Sequence, residues 1–229
     1  RGQPCGADPA GGRTEVARMI FGADRPDGGE MTLDGSPYRP RSVVEAIRKG
    51  VALVPEERRS QGLFLDKSID FNVSLPTLRA VRSGPLRLLS SRKRAQRAQA
   101  MVRSLDIKTR STDTLVRQLS GGNQQKVVMA KWLVDGCRVL LLDEPSRGVD
   151  VSARAEIYRV IRRQAANGTA VLVISSEFDE LKGCDRVVVM REGRITANLS
   201  AAQASESAVL EASFADHNDR HPDLPTEPR

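Results

Sequence analysis

Histidine is nearly absent from this chain. The two copies, His217 and His221, lie in a polar tail that also carries Pro222. That placement excludes histidine-based acid/base or triad chemistry from the body of the fold, and the polar context reads the pair as part of a disordered tail rather than a chelate. Aromatic side chains are also scarce, at eight Phe, Trp and Tyr in 229 residues, so a base-stacking surface for nucleic acid has little to build on. Three cysteines, Cys5, Cys137 and Cys184, have no CxxC spacing and an odd total. A disulfide framework and a zinc site are both disfavoured, and a reducing cytosol fits. Long apolar runs are missing as well. Stretches such as Val139 to Leu142 and Val187 to Met190 fall far short of a membrane span.

What is present suits a globular domain with a buried core. Hydrophobic residues make up 39% and charged ones 28%, and the length fits one domain, with or without a small inserted subdomain. The chain starts at Arg1 with no Met and no apolar leader core, and is expected to be a fragment or a clipped product. The formal charge of +7 is concentrated. Between Arg79 and Arg110 there are ten basic residues against Asp106 alone, so this stretch carries +9 and the remainder −2. A solvated helix face, a face meeting lipid head groups or an acidic partner, and a nucleic-acid surface all remain readings of that excess.

Residues 1–12 read as irregular. The pattern then predicts a helix over Thr14–Phe21, a strand Met31–Leu33 closed by Asp34-Gly35, a helix to Lys49 capped by Ser42 and Glu45, and a strand Val51–Val54. Residues 72–118 are expected to be predominantly helical and basic, broken at Ser83-Gly84-Pro85. A helix over Asn123–Val134, a strand Arg138–Leu142, a helix Ser152–Ala166 and strands Thr169–Ile174 and Arg186–Met190 follow. Next come a hairpin turn at Arg191–Arg194 and a last strand, a short helix and the tail. Ser175-Ser176-Glu177 reads as a cap for a helix to Leu181, Met129 and Trp132 as core, and Cys137 and Cys184 as buried thiols. Strands alternating with helices predict an α/β fold with a mostly parallel sheet.

The most specific segment is Val139-Leu140-Leu141-Leu142-Asp143-Glu144-Pro145. A buried parallel strand ending in two carboxylates places both at the carboxyl edge of the sheet, where ligands bind in open α/β folds. Asp143 there suits Mg²⁺, and Glu144 suits the orientation and deprotonation of an attacking water. Ser120, 23 residues before Asp143, opens the turn Ser120-Gly121-Gly122 followed by Asn123-Gln124-Gln125-Lys126. Small residues and free backbone N–H groups at a helix N-terminus make an anion site suited to a γ-phosphate.

This combination closely resembles the nucleotide-binding domain of ABC transporters. The Ser-Gly-Gly turn matches the signature motif, Leu140–Glu144 the Walker B strand and Ser146–Asp150 the D-loop. The variants Asn-Gln-Gln-Lys, Glu-Pro-Ser-Arg-Gly-Val-Asp-Val and Val54-Pro55-Glu56-Glu57-Arg58-Arg59 resemble the second half of the tandem ATPase subunits of bacterial ribose, xylose and galactose importers. The likeness covers about residues 10–213. It implies a P-loop NTPase-like sheet with an inserted helical subdomain. On this division residues 1–71 form a partial core, 72–118 the subdomain, 119–213 the signature helix and remaining core, and 214–229 the tail.

The resemblance further implies ATP and Mg²⁺ as ligands, with Thr14 and Asp143 on the metal. It places Gly12, Arg13, Thr14, Glu56, Ser120, Gly121, Gly122, Gln124 and Asp150 on nucleotide, and Glu144 and Ser176 at the catalytic positions. The implied partners are a second ABC ATPase domain, membrane permease subunits and, indirectly, a periplasmic sugar-binding protein, with no nucleic acid. The implied location is the cytoplasmic face of the membrane, peripherally.

Departures from the pattern matter equally. A phosphate loop should read G-x-x-x-x-G-K-[ST] after a strand. Here Gly12-Arg13-Thr14 matches its end, but Ala7 takes the first glycine position, Pro9 interrupts the loop, and Arg13 stands for lysine as is usual in this subgroup. The strand that should precede the loop and the aromatic that should stack on adenine are not found. Glu56 falls where the family has a γ-phosphate-sensing glutamine, and Ser176 where it has a switch histidine. The chain's own site therefore reads as degenerate. The signature turn, which in the family closes a partner's site head to tail, is expected to act in trans. The alternatives are a non-hydrolysing structural or regulatory half, and a soluble ABC-type ATPase acting on nucleic acid.

Overall fold

A computed structural model describes residues 12–83 and 88–214. Cys5, Ala7, Pro9, the Gly84-Pro85 break, both histidines and the tail lie outside them. In chain order the elements are α1 (Arg13–Ile20), β1 (Thr32–Leu33), β2 (Ser36–Pro37), α2 (Val43–Arg48), β3 (Val51–Val54), a π-helical turn (Arg58–Gly62), α3 (Ile69–Ser74), a 3₁₀ segment (Leu75–Val81), β4 (Arg82–Ser83), β5 (Leu88–Leu89) and α4 (Ser91–Ser104). A 3₁₀ turn (Val116–Gln118), α5 (Gly121–Leu133), β6 (Val139–Asp143), α6 (Val151–Ala166), β7 (Ala170–Ile174), α7 (Phe178–Leu181), β8 (Arg186–Arg191), β9 (Arg194–Ser200) and α8 (Glu206–Phe214) complete it. The chain divides into two units, Ala17–Ile174 on one side and the segments up to Val16 and from Ser175 on the other.

The larger unit is organised on a parallel sheet of order β3-β6-β7, with Leu53 opposite Leu141 and Leu141 opposite Leu172. β3 and β6 are nearly continuous apolar runs because both of their faces are covered. Ala52, Val54, Leu140 and Leu142 pack with Val127, Val128 and Met129 of α5, Ile157 of α6, and Ile69 and Val73 of α3. On the alternate positions, Val51 and Leu141 pack with Phe21, Tyr38 and Ala46. Period-two alternation thus feeds two cores from one strand. Trp132 is partly buried and meets Phe21 edge to face at 5.7 Å, while Met129 is fully buried.

The turn predicted at Asp34-Gly35 joins β1 to β2 with both residues at positive φ, as a two-residue hairpin requires. The Ser42 cap accepts from the Glu45 N–H at 3.3 Å, but the Glu45 carboxylate accepts from the N–H of Arg41 rather than of Ser42. The reciprocal half of the box is displaced by one residue.

Helix covers most of the described part of residues 72–118, as expected, with two exceptions. A short hairpin, β4 with β5, flanks the break, and residues 105–115 contain no helix. Asp106 ends α4 at φ +49, with the Ile107 N–H returning to Val102 O at 2.9 Å. The chain beyond it bonds laterally to the entry of α3, through Ile69 N to Thr114 O at 3.1 Å and Asp70 N to Thr112 O at 3.0 Å. Tertiary donors answer these carbonyls in place of intrahelical ones. Within the basic stretch Arg94 pairs with the buried Asp70 at 2.7 Å, Arg97 with Asp135 and Lys108 with Asp106. The local excess of charge is partly answered by acids elsewhere in the chain.

In the smaller unit β8 and β9 form an antiparallel hairpin with a bulge between Val189 and Met190. Its turn, Glu192-Gly193, has φ of +51 and +76. The cap expected at α7 takes a different form. The N-cap is Glu177, whose side chain makes no capping bond, and Ser175 does the capping, its hydroxyl accepting from the Glu177 N–H at 3.0 Å and donating to Glu180 at 2.5 Å. Cys137 and Cys184 are both partly exposed rather than buried as predicted. Cys137 precedes β6 in the larger unit, and burial pushes its thiol up to about 11.

Candidate functional site

In the larger unit four segments converge: the carboxyl end of β6, the loop Pro145–Asp150, the N-terminus of α5, and the turn that follows β3. Asp143 is the last residue of β6 and is buried. Glu144 continues the ladder, donating its N–H to Ile174 O at 2.9 Å, and then departs from it at φ +44. Left-handed backbone at a residue other than glycine costs roughly 1–2 kcal/mol. That strain falls on the carboxylate singled out for water activation.

The loop after Glu144 is closed by Arg147 N to Glu144 O at 3.0 Å and Val149 N to Ser146 O at 3.1 Å. It delivers Asp150 as the N-cap of α6, where the carboxylate accepts from the Ala153 N–H at 2.9 Å and the Ser152 hydroxyl at 2.6 Å. The Ser152 bond, supported by that of Ala153, holds the Asp150 carboxyl below its ordinary 3.8.

Ser120 caps α5, accepting from Asn123 through both its backbone N–H at 3.4 Å and its Nδ2 at 2.9 Å. The helix therefore begins at Gly121, two residues earlier than the apolar pattern predicts. Gly122 is fixed by close approach, and Gly121 is crowded less severely. A Cβ on Gly122 would lie 2.4 Å from the Ala153 methyl of α6. One on Gly121 would lie 2.9 Å from Arg58 Nη2 and 3.1 Å from Gly148 O. The Ser-Gly-Gly turn is thus seated against both the loop after β6 and the first turn of α6. Gln124 is 3% exposed, and its Nε2 donates to Val116 O at 3.2 Å and Leu119 O at 3.1 Å. Its amide holds the approach to the turn.

Glu56 forms an ion pair with Arg147, so the negative charge predicted to face phosphates has a cation of its own. Sequence reasoning passed over both Arg58 and Arg147. The signal available was only the pair of arginines beside the motifs, because no local spacing connects residue 58 to residue 147.

The remaining predicted residues belong to the smaller unit. Gly12 sits at φ +86 before α1, where an added Cβ would lie 3.2 Å from Gly193 Cα. Arg13 donates from Nη1 to Ser175 O at 3.0 Å. The cation at the lysine position of the phosphate loop is thereby engaged with the backbone next to Ser176. Thr14 lies in the first turn of α1.

With this geometry in place, a protein-family profile described as ABC transporter matches residues 6–147. The chain belongs to the ABC transporter family. A putative ribose/galactose/methyl galactoside import ATP-binding protein from Rhizobium etli is 44% identical over 90% of this ABC chain and 39% of its own length. An arabinose import ATP-binding protein from Ralstonia nicotianae is 46% identical over 91% and 42%. A ribose import ATP-binding protein from Streptomyces coelicolor is 47% identical over 88% and 40%. The chain spans about two fifths of the length of these relatives. Among solved structures, the dimeric post-hydrolysis state of the ATP-binding cassette MJ0796 bound to ADP and Pi superposes with a TM-score of 0.70 at 19% identity, over 86% of this chain and 88% of that one. The fold is accordingly that of an ABC cassette, α/β and P-loop NTPase-like.

The donor chemistry at the end of β6 fits Mg²⁺. Asp143 and Glu144 offer hard oxygens, and no cluster of three or more His, Cys, Asp or Glu gathers among the described residues. Mg²⁺ needs only one or two protein carboxylates, completing its shell with phosphate and water.

Proposed function

We propose that this chain is the ATP-binding component of a sugar ABC importer, resembling the second half of a tandem ATPase subunit, and that its main contribution is the signature turn it offers to a partner domain. The observation that supports this most is the seating of Ser120, Gly121 and Gly122. A Cβ on Gly122 would collide with the Ala153 methyl and one on Gly121 would crowd Gly148 O and the tip of Arg58, so the backbone at the start of α5 is held close against its neighbours. A helix N-terminus of this kind favours an anion through its unpaired donors and its dipole. Electrostatic stabilisation of a transferring phosphoryl group requires such preorganised donors.

In this reading Ser120, Gly121 and Gly122 receive the γ-phosphate of ATP carried by the second domain. Gln124 keeps the turn in place from the interior, and Asp150 fixes the adjoining loop by capping α6. Asp143 would hold Mg²⁺, which supplies charge neutralisation at the phosphates when bound. Glu144 orients water at the chain's own site. In the larger unit Glu56 is occupied by Arg147, and in the smaller unit Arg13 and Ser176 stand at the family's lysine and histidine positions, a degenerate set. Permease subunits receive the conformational change at the cytoplasmic face of the membrane, and a periplasmic sugar-binding protein acts on the far side. The importer relatives named above support the sugar class. No helix among the described residues is long and apolar enough to cross a membrane.

The test uses the assembled transporter with its partner ATPase domain and permease. Ser120→Arg fills the anion site and should abolish ATP hydrolysis, while Glu144→Gln should cost much less. Equal losses in the two variants would sink the assignment of roles.

A further inference from the structure

We propose that Arg58 is a positioning residue that locks the loop after β6 to the signature turn, so that the phosphate-facing turn and the chain's own acidic strand end move as one piece. The proposal rests on the reading that the signature turn completes a partner's site.

Arg58 opens the π-helical turn Arg58–Gly62, a rare geometry frequently found at functional sites. Its guanidinium forks onto two successive carbonyls of the loop, Nη1 to Arg147 O at 2.6 Å and Nη2 to Gly148 O at 3.0 Å. Gly148 is at φ +66, so the loop turns sharply at the residue whose carbonyl Nη2 holds. The same Nη2 lies 2.9 Å from where a Gly121 Cβ would be, which sets the planar group against the first glycine of the signature turn. One side chain therefore touches both halves of the candidate site.

The neighbouring contacts reinforce it. Glu56, two residues earlier, takes the Arg147 side chain while Arg58 takes the Arg147 and Gly148 backbone. At the other end of the π-helical turn, Lys131 of α5 donates to Gly62 O at 2.8 Å, and a Cβ on Gly62 would meet Val128 at 3.1 Å. The turn is thus anchored to α5 at Gly62 and to the loop at Arg58. Displacement of the loop must be transmitted to the start of α5 through this bracket. A planar fork with two parallel donors fixes direction as well as distance, and a lysine ammonium does not.

Arg58→Lys and Arg58→Ala are made in the assembled transporter, with kcat and KM for ATP measured beside Ser120→Arg and Glu56→Gln. Misplacing a reacting group by about 1 Å costs on the order of 100-fold, so a loosened bracket should lower kcat about tenfold or more and leave KM within about twofold. Arg58→Lys should follow Arg58→Ala, and Arg58→Ala combined with Glu56→Gln should be little worse than Arg58→Ala, because both side chains grip the same loop. A KM raised more than about fivefold would mean direct contact with nucleotide and would overturn the positioning role. So would a kcat within about threefold of the parent, or full rescue by lysine. If Arg58→Ala does not fold, Arg58→Lys decides by the same criteria. Activity surviving Ser120→Arg defeats the trans reading itself, whereas an inactive Ser120→Arg beside an unaffected Arg58→Lys defeats only the Arg58 proposal.

Discussion

Substituting Gly122 by alanine probes the contact that seats the signature turn. The added methyl would lie 2.4 Å from the Ala153 methyl, against the 3.5–4.0 Å at which two carbons rest, so α5 and α6 must separate locally by more than 1 Å. Alanine in a helix gains up to about 1 kcal/mol over glycine. Forcing an extra methyl into a packed contact costs about 1–3 kcal/mol. The net effect is a destabilisation of up to about 2 kcal/mol, with a larger effect on ATP hydrolysis because the turn itself is displaced. Ala153→Gly removes the opposing methyl. The nearest atoms to the new Cβ are then Val149 Cγ1 at 3.4 Å and the Cα of residue 153 at 3.8 Å, which is ordinary contact. The double variant should recover both stability and activity relative to Gly122→Ala, although Ala153→Gly alone costs about 1 kcal/mol. Urea unfolding of the chain, with ATPase assays of the assembled transporter, measures the cycle. A Gly122→Ala more stable than the parent, or strictly additive single effects, would refute the packing argument.

Two further outcomes follow from the pKa shifts. Native Cys137 should resist iodoacetamide at pH 8 and react faster as pH rises towards its value of about 11, whereas unfolding should expose it at once; equal rates in the folded and unfolded chain would contradict the burial argument. Asp150 has a folded-state pKa below its ordinary 3.8, so its contribution to stability is fully present above 3.8 and is lost as pH falls through the lower folded value. Asp150→Ala should therefore lower Tm at pH 7, with the difference closing below that window, and a Tm gap that persists unchanged at pH 2 would contradict the charge-based account.

Much of the fold was legible in local pattern. β3, β6, β7, α6 and the β8–β9 hairpin lie within a residue or two of their predicted bounds, because uninterrupted apolar runs and Asp-Gly or Glu-Gly turns signal directly through the backbone. The same held for the candidate site where it is written contiguously, as in Leu142-Asp143-Glu144 and Ser120-Gly121-Gly122. Residues 105–115 resisted. The carbonyls of Thr112 and Thr114 instead accept from the backbone N–H groups of Asp70 and Ile69, and Leu115 bridges to Ser68, a competition that no local propensity registers. The start of α5 at Gly121 was also missed, because two glycines read as a turn until Ala153 and Arg58 are seen to need their missing side chains.

The sequence by itself determined the parallel strands, the paired carboxylates at the end of β6 and the capped glycine turn, since each depends on residues within a few positions of one another. It also placed Arg13, Glu56 and Ser176 at positions where the family pattern has other residues. Tertiary structure alone decided what those residues meet. Glu56 answers Arg147, Arg58 spans from the turn after β3 to carbonyls 89 and 90 residues away, and Gly122 exists for the sake of Ala153. Such contacts depend on which surfaces the packed sheet and helices bring together, and sequence separation carries no record of that distance.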